Sequence, residues 1–229
     1  MTSVLLKLLA MLFMTIDHVG LFFLNNNIIC RSIGRAAFPL FVFLFCEGFL
    51  YTRNPKKRMF KIFALALITE PIFDILLFRK AFCLDSQNVL WLFALTGLAC
   101  LLLEHSQNWY DKVIFVAVPI VLAEILRFDY GAAGASAIFI CYYVVKNKDK
   151  IKNYKLATSL SWLPLIISNV FHIISGLINP VIALGYIIPV FVILTYNGNK
   201  GKSNALLNFF MITYYPLHLA VILLIRAFL

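Results

Sequence analysis

Residues 4–24 read VLLKLLAMLFMTIDHVGLFFL, and the reading of this stretch decides the fold. A helix needs about 20 mainly apolar residues to cross a bilayer, and this run has the length and the oil. Yet Asp17 and His18 stand side by side in its second half. The rest of the chain resolves that tension in favour of a membrane. Of its 229 residues 62% are hydrophobic, 13% are charged and 22 are Phe, and the mean hydropathy is +0.92. Soluble domains hold about 45–50% apolar residues, and a water-soluble fold cannot hide so large a surplus. The composition therefore predicts an integral membrane protein with no room for a sizeable soluble domain.

Applied along the chain, the same window predicts an all-α, polytopic bundle of about nine spans. They fall near 4–24, 33–52, 59–78, 88–104, 112–127, 130–146, 155–175, 177–196 and 205–226. Asn25-Asn26-Asn27, Asn54-Pro55, Asn147-Lys148-Asp149 and Asn197-Gly198-Asn199 supply the breaks. The seventh and eighth spans are separated only by SGLINP, so a re-entrant hairpin is the other reading there. Residues 1–229 are read as one integral domain, and the first span as a retained helix, since no small-residue cleavage site precedes Asn25.

The net charge of +10 does not point to nucleic acid. Fourteen of the 20 Lys and Arg fall on one side of the predicted topology: Lys7, the 53–61 group, Lys112, the 146–155 group, Lys200 and Lys202. The positive-inside rule then puts the N-terminus in the cytoplasm and the C-terminus outside. The location expected is the plasma membrane, multi-pass, in contact with lipid. Cys30, Cys46, Cys83, Cys100 and Cys141 form no Cys-x-x-Cys pair, so neither a metal site nor a disulfide framework is expected.

Ionisable groups at membrane depth cost about 2.5–3.5 kcal/mol or more and mark bundle interiors or wet cavities. Asp17, His18, Arg35, Glu47, Glu70, Asp74, Glu124, His172 and His218 are such groups. With the orientation above, Asp17, His18, Arg35, His172, His218 and the Asp129 turn lie towards the outer leaflet. Asp17 and His18, as helix neighbours, point about 100° apart and do not face each other. Arg31 and Arg35 share a face; snorkelling suits Arg31, while Gly34 and Ala36-Ala37 suit an interior Arg35. A buried Asp paired with an Arg, beside a satisfied histidine, is the structural alternative to a catalytic reading. Pro39 and Pro216 remove helical N–H donors, and Pro216 is expected to break the last helix.

The blocks KLLAMLFMTIDHVGLFF (7–23) and IGRAAFPLFVFLFCEGFLYTRN (33–54) resemble the N-terminal signature of the TraX family of membrane proteins. DYGAAG (129–134) and YYPLHLAVILL (214–224) are similar to its later motifs. The family is named for an enzyme that N-acetylates a pilin subunit. It resembles a wider superfamily of transmembrane acyltransferases that includes heparan-alpha-glucosaminide N-acetyltransferase. The resemblance implies that His18 is catalytic, supported by Asp17 and Arg35. It implies acetyl-CoA as the acyl donor and an extracytoplasmic peptide or glycan as the acceptor.

Chemistry fits these roles. Acetyl transfer to an amine or hydroxyl needs a base, an oxyanion donor and a held thioester. Histidine suits the base; Arg35 suits either the oxyanion or a pairing with Asp17. Arg53, Lys56, Lys57 and Arg58 are expected to meet the CoA phosphates, although topology alone also predicts such a cluster. Asp129, Tyr130 and His218 are expected at the acceptor. The rival class is a small proton-coupled transporter lined by the same groups; the sequence shows no inverted repeat of the kind such folds use.

Overall fold

The computed structural model describes residues 1–176 and 179–229 and is all-helical. The helices are α1 (Ser3–Phe22), α2 (Ile28–Gly34), α3 (Ala37–Leu50), α4 (Pro55–Phe78), α5 (Val89–His105) and α6 (Trp109–Ile125). They continue with α7 (Gly131–Lys146), α8 (Tyr154–Ser159), α9 (Leu163–Ile174), α10 (Pro180–Ala183), α11 (Ile188–Leu194) and α12 (Ala205–Phe228). Short 3-10 turns join α8 to α9 and α10 to α11.

Asparagines set many of the boundaries. Asn27 accepts the N–H groups of Ile29 and Cys30, both at 3.1 Å, and opens α2. Asn54 accepts Lys57 N–H at 2.9 Å and opens α4 with Pro55 at its first position. Asn88 and Asn179 cap α5 and α10 in the same way. A short side-chain carbonyl satisfies one of the orphan donors of each first turn. Asn25 and Asn26 adopt left-handed backbone (φ 49° and 58°), the conformation asparagine tolerates best among residues with a Cβ, and so fold α2 back onto α1.

Among the described residues, four segments are long and apolar enough to cross a membrane: Ser3–Phe22, Ile28–Leu50, Tyr154–Ile174 and Ala205–Phe228. Val89–His105, Gly131–Lys146 and Pro180–Leu194 are shorter apolar helices. The stretches expected at 59–78 and 112–127 lie in α4 and α6. Helix α1 shows why the chain suits lipid. It buries Leu6, Ala10, Met11 and Met14, yet its other face presents Leu5, Leu8 and Leu12, which are as oily as the buried one.

Three local details depart from the sequence reading. The second expected span is divided at Arg35-Ala36, with Pro39 seated in the first turn of α3, where its missing N–H costs nothing. The eighth is α10, a 3-10 turn and α11 in succession, not one helix. Its expected start, Leu177, and the neighbouring Ile178 of SGLINP lie outside the described residues. Pro216 does not break the last helix: α12 runs through it from Ala205 to Phe228. A single missing N–H is tolerated inside long apolar helices when local adjustments satisfy the freed carbonyl.

Two compact units divide the chain. The first is Met1–Leu50 with Ile140–Ile212, the second Tyr51–Phe139 with Thr213–Leu229. In the first, α1 packs against α2 and α3, and the α10–α11 segment lies on α2 and α3. Phe43 meets Tyr196 edge-on at 5.4 Å, and Phe49 meets Tyr142 at 5.7 Å. In the second, α4 packs on α5 and α5 on α6.

Candidate active site

In the first unit the site is built where α1 meets α2. Arg31 Nη1 donates to Asp17 Oδ2 at 2.5 Å, with 16% and 15% of the two side chains exposed. Oδ1 of Asp17 is buried and has no hydrogen-bond partner among the described residues. A Cβ placed on Gly34 would overlap Cβ, Cγ and Oδ1 of Asp17, so only glycine lets the helices approach this closely. Arg35, the next residue, closes α2; its N–H is shared between the carbonyls of Arg31 (3.2 Å) and Ser32 (3.1 Å). Its charge also acts on Asp17. The three residues Asp17, Arg31 and Arg35 thus form one electrostatic group across a helical hairpin.

His18 emerges beside that group, half-buried, with its ring stacked on Phe22 at 6.0 Å and 21°. The 100° step between neighbours sends Asp17 to the ion pair and His18 to a different face, as the helix geometry requires. Arg31 is the residue that sequence reasoning undervalued. Its position one turn before Arg35 was the available signal; the snorkelling alternative hid it.

A second close approach holds the far side of α2. Gly185 sits against the Ser32 carbonyl and Arg35 Cβ, leaving no space for a methyl group. Ser32 Oγ donates to the Val181 carbonyl at 2.7 Å. Elsewhere in this unit Tyr196 donates to buried Glu47 at 2.6 Å. His172 and Asn169 bond to the Ser168 and Leu165 carbonyls of their own helix. A cavity of about 410 Å³ lined by Lys152, Asn153, Tyr154, Lys155, Leu156 and Leu194 contains none of the expected site residues.

The second unit holds the other expected residues. Arg53, Lys56 and Lys57 are exposed and Arg58 half-buried around the start of α4. Cations there oppose the helix macrodipole, which favours anions at an N-terminus; helix end and side chains together make an anion-attracting surface.

Asp129 and Tyr130 lie in the turn between α6 and α7, where Arg127, Tyr130 and Gly131 have φ of 55°, 67° and 47°. Gln87 laces this turn by donating to the Arg127 carbonyl and accepting the Asp129 N–H, both at 2.9 Å. The Tyr215 hydroxyl accepts the Val89 N–H and feels Asp129, Tyr130 and Glu70. His218, 8% exposed, stacks on Tyr214 at 5.2 Å and 4° and lies 5.6 Å from Tyr215. Its Nδ1 is 3.2 Å from the Tyr214 carbonyl; a carbonyl only accepts, so Nδ1 carries the proton. Tyr215, a residue the sequence reading did not single out, thus has the His218 ring beside it and feels the charges of Asp129 and Tyr130.

Among the described residues no group of three or more His, Cys, Asp or Glu is arranged to hold a metal.

Comparison with known proteins agrees with these motifs. A protein of Dichelobacter nodosus described as "Probable fimbrial assembly protein FimC, serogroup H1" is 25% identical over 244 aligned positions, spanning 98% of this chain and 95% of that protein. An uncharacterized protein of Rickettsia prowazekii (strain Madrid E), RP591, is 31% identical over 171 positions, 73% of this chain and 64% of that protein. No solved structure matches. The family model described as "TraX protein" matches residues 3–226, and the chain belongs to the TraX family.

Proposed function

We propose that the protein is a plasma-membrane acetyltransferase, moving acetyl from cytosolic acetyl-CoA to an amine or hydroxyl of an extracytoplasmic acceptor. The acceptor is a peptide N-terminus or an amino sugar or glycan. This reading takes the chain as one catalytic domain of about nine crossings, with the N-terminus inside. The observation that carries it is His18: a half-buried imidazole in an apolar helix, beside an ion pair that the neighbouring aspartate already occupies. Family membership and the fimbrial-assembly description of the Dichelobacter relative support a role on a surface-exported substrate.

In the proposed reaction the acceptor nitrogen or oxygen attacks the thioester carbonyl while neutral His18 takes its proton. Arg35 stabilises the oxyanion of the tetrahedral intermediate. Collapse expels the CoA thiolate, which recovers the proton, leaving the acetylated acceptor and free CoA. Asp17 holds Arg31, and with Gly34 fixes α2 against α1 so that Arg35 and His18 keep their places; Asp17 supports the base by position and charge. Arg53, Lys56, Lys57 and Arg58 meet the CoA phosphates, and Asp129, Tyr130 and His218 meet the acceptor.

The test is transfer of labelled acetyl from acetyl-CoA by the purified protein to amine and hydroxyl acceptors. Loss of transfer in a folded His18→Ala variant supports the reading. Transfer that persists in that variant excludes His18 as the base, and solute flux in proteoliposomes without CoA points to a transporter instead.

A further inference from the structure

Glu70 and Asp74 stand one turn apart on α4, so they share a face. Asp74 is fully buried and Glu70 is 8% exposed. Each carboxyl uses only one oxygen. Glu70 Oε2 accepts the Trp91 indole N–H at 2.6 Å, the Asn88 backbone N–H at 3.4 Å and the Asn88 side-chain amide. Asp74 Oδ2 accepts the Cys83 N–H at 2.8 Å. The second oxygens, Glu70 Oε1 and Asp74 Oδ1, are buried without a hydrogen-bond partner among the described residues.

Among the described residues no cation is hydrogen-bonded to either carboxyl. The Asp74 charge acts on Glu70, and no lysine or arginine is among the groups acting on either carboxyl. The 79–88 loop contributes Cys83, whose thiol is turned to Asp85 at 3.3 Å. Helix α5 contributes Asn88 and Trp91. Helix α12 contributes Tyr215, on which the Glu70 and Asp129 charges act, and Arg226, which donates to the Leu76 carbonyl at 3.2 Å. Two uncompensated carboxylates one helical turn apart cannot both stay ionised out of water; a proton or a cation must enter. Two free oxygens fall short of the six to eight ligands a hard metal ion takes.

We propose that Glu70 and Asp74 form a proton-binding site that holds one shared proton between Oε1 and Oδ1. Binding forms one O–H bond and takes the pair from two negative charges to one. The donors crowded on Oε2 fix that oxygen as an acceptor and leave Oε1 for the O–H. The pair titrates as a unit.

Infrared spectroscopy of the whole purified protein in an ester-free detergent, at neutral pH in light and heavy water, tests this. A carboxylic-acid C=O band that shifts in heavy water is expected. It should vanish in Glu70→Gln and also in Asp74→Asn, because either carboxamide donates to the remaining carboxylate in place of the proton. Absence of the band in the wild type overturns the proposal. A band merely halved in each variant also overturns it, in favour of two separately protonated acids. A melting temperature raised by sodium relative to choline chloride overturns it in favour of a metal ion.

Discussion

The Tyr196 hydroxyl donates to Glu47 Oε2 at 2.6 Å, joining two residues 149 positions apart inside the first unit. The carboxyl end is 8% exposed, and Lys7 and Lys148 act on it from a distance. A buried acceptor stripped of its donor costs about 1–3 kcal/mol. Tyr196→Phe should therefore lower stability by that amount in a detergent melt. Restoring the lost stability by adding Glu47→Met would show that the loss is desolvation of the orphaned carboxyl.

Arg31→Ala removes the hydrogen-bonded partner of Asp17. Breaking a largely buried pair from one side costs about 3–5 kcal/mol, because the other charge remains. The double variant Asp17→Asn/Arg31→Met should recover most of it. Equal stability of Arg31→Ala and wild type would show that Arg35 alone satisfies Asp17.

Gly34→Ala places a methyl where Asp17 Cβ, Cγ and Oδ1 already lie. Because Arg31 holds that carboxylate, the helices must separate, at a cost of about 1–3 kcal/mol. If the hairpin positions His18, acetyl transfer should fall more than folded fraction does, measured on the same preparation.

The His18→Ala variant should lose about 10²–10⁴-fold of the transfer rate, the usual contribution of a general base. Its melting temperature should change little, since the ring is only half-buried.

Replacing Lys56, Lys57 and Arg58 together by Ala should raise KM for acetyl-CoA about tenfold, near 1.4 kcal/mol, with kcat kept. The wild-type KM should rise with ionic strength and the variant's should not.

The sequence made the membrane class and the helix positions legible because both follow from local composition: apolar runs and asparagine breaks need no knowledge of partners. It also marked Asp17, Arg35 and Gly34 as residues of a close helix contact. What it could not supply was pairing. Arg31 and Arg35 are equivalent by spacing, and only the left-handed Asn25-Asn26 turn, which sets the angle of α2, selects Arg31 for the ion pair. Glu70 was visible as a costly residue, yet its partners Asn88 and Trp91 lie 18 and 21 positions away across a loop with no periodic pattern. Tyr215 reads as one more aromatic in an oily helix, since its link to the Asp129 turn is electrostatic and spans more than 80 positions of chain.

The Asp17–Arg31 bridge spans only 14 positions of chain, and Gly34 closes on the same aspartate. The ion pair and the glycine contact are thus both written within one helical hairpin, ahead of the helices that follow it. Contacts so local close quickly during synthesis, and the hairpin can dock before any later helix has been inserted. A ribosome-stalled fragment ending after α3 should therefore already protect Asp17 and Arg31 from water.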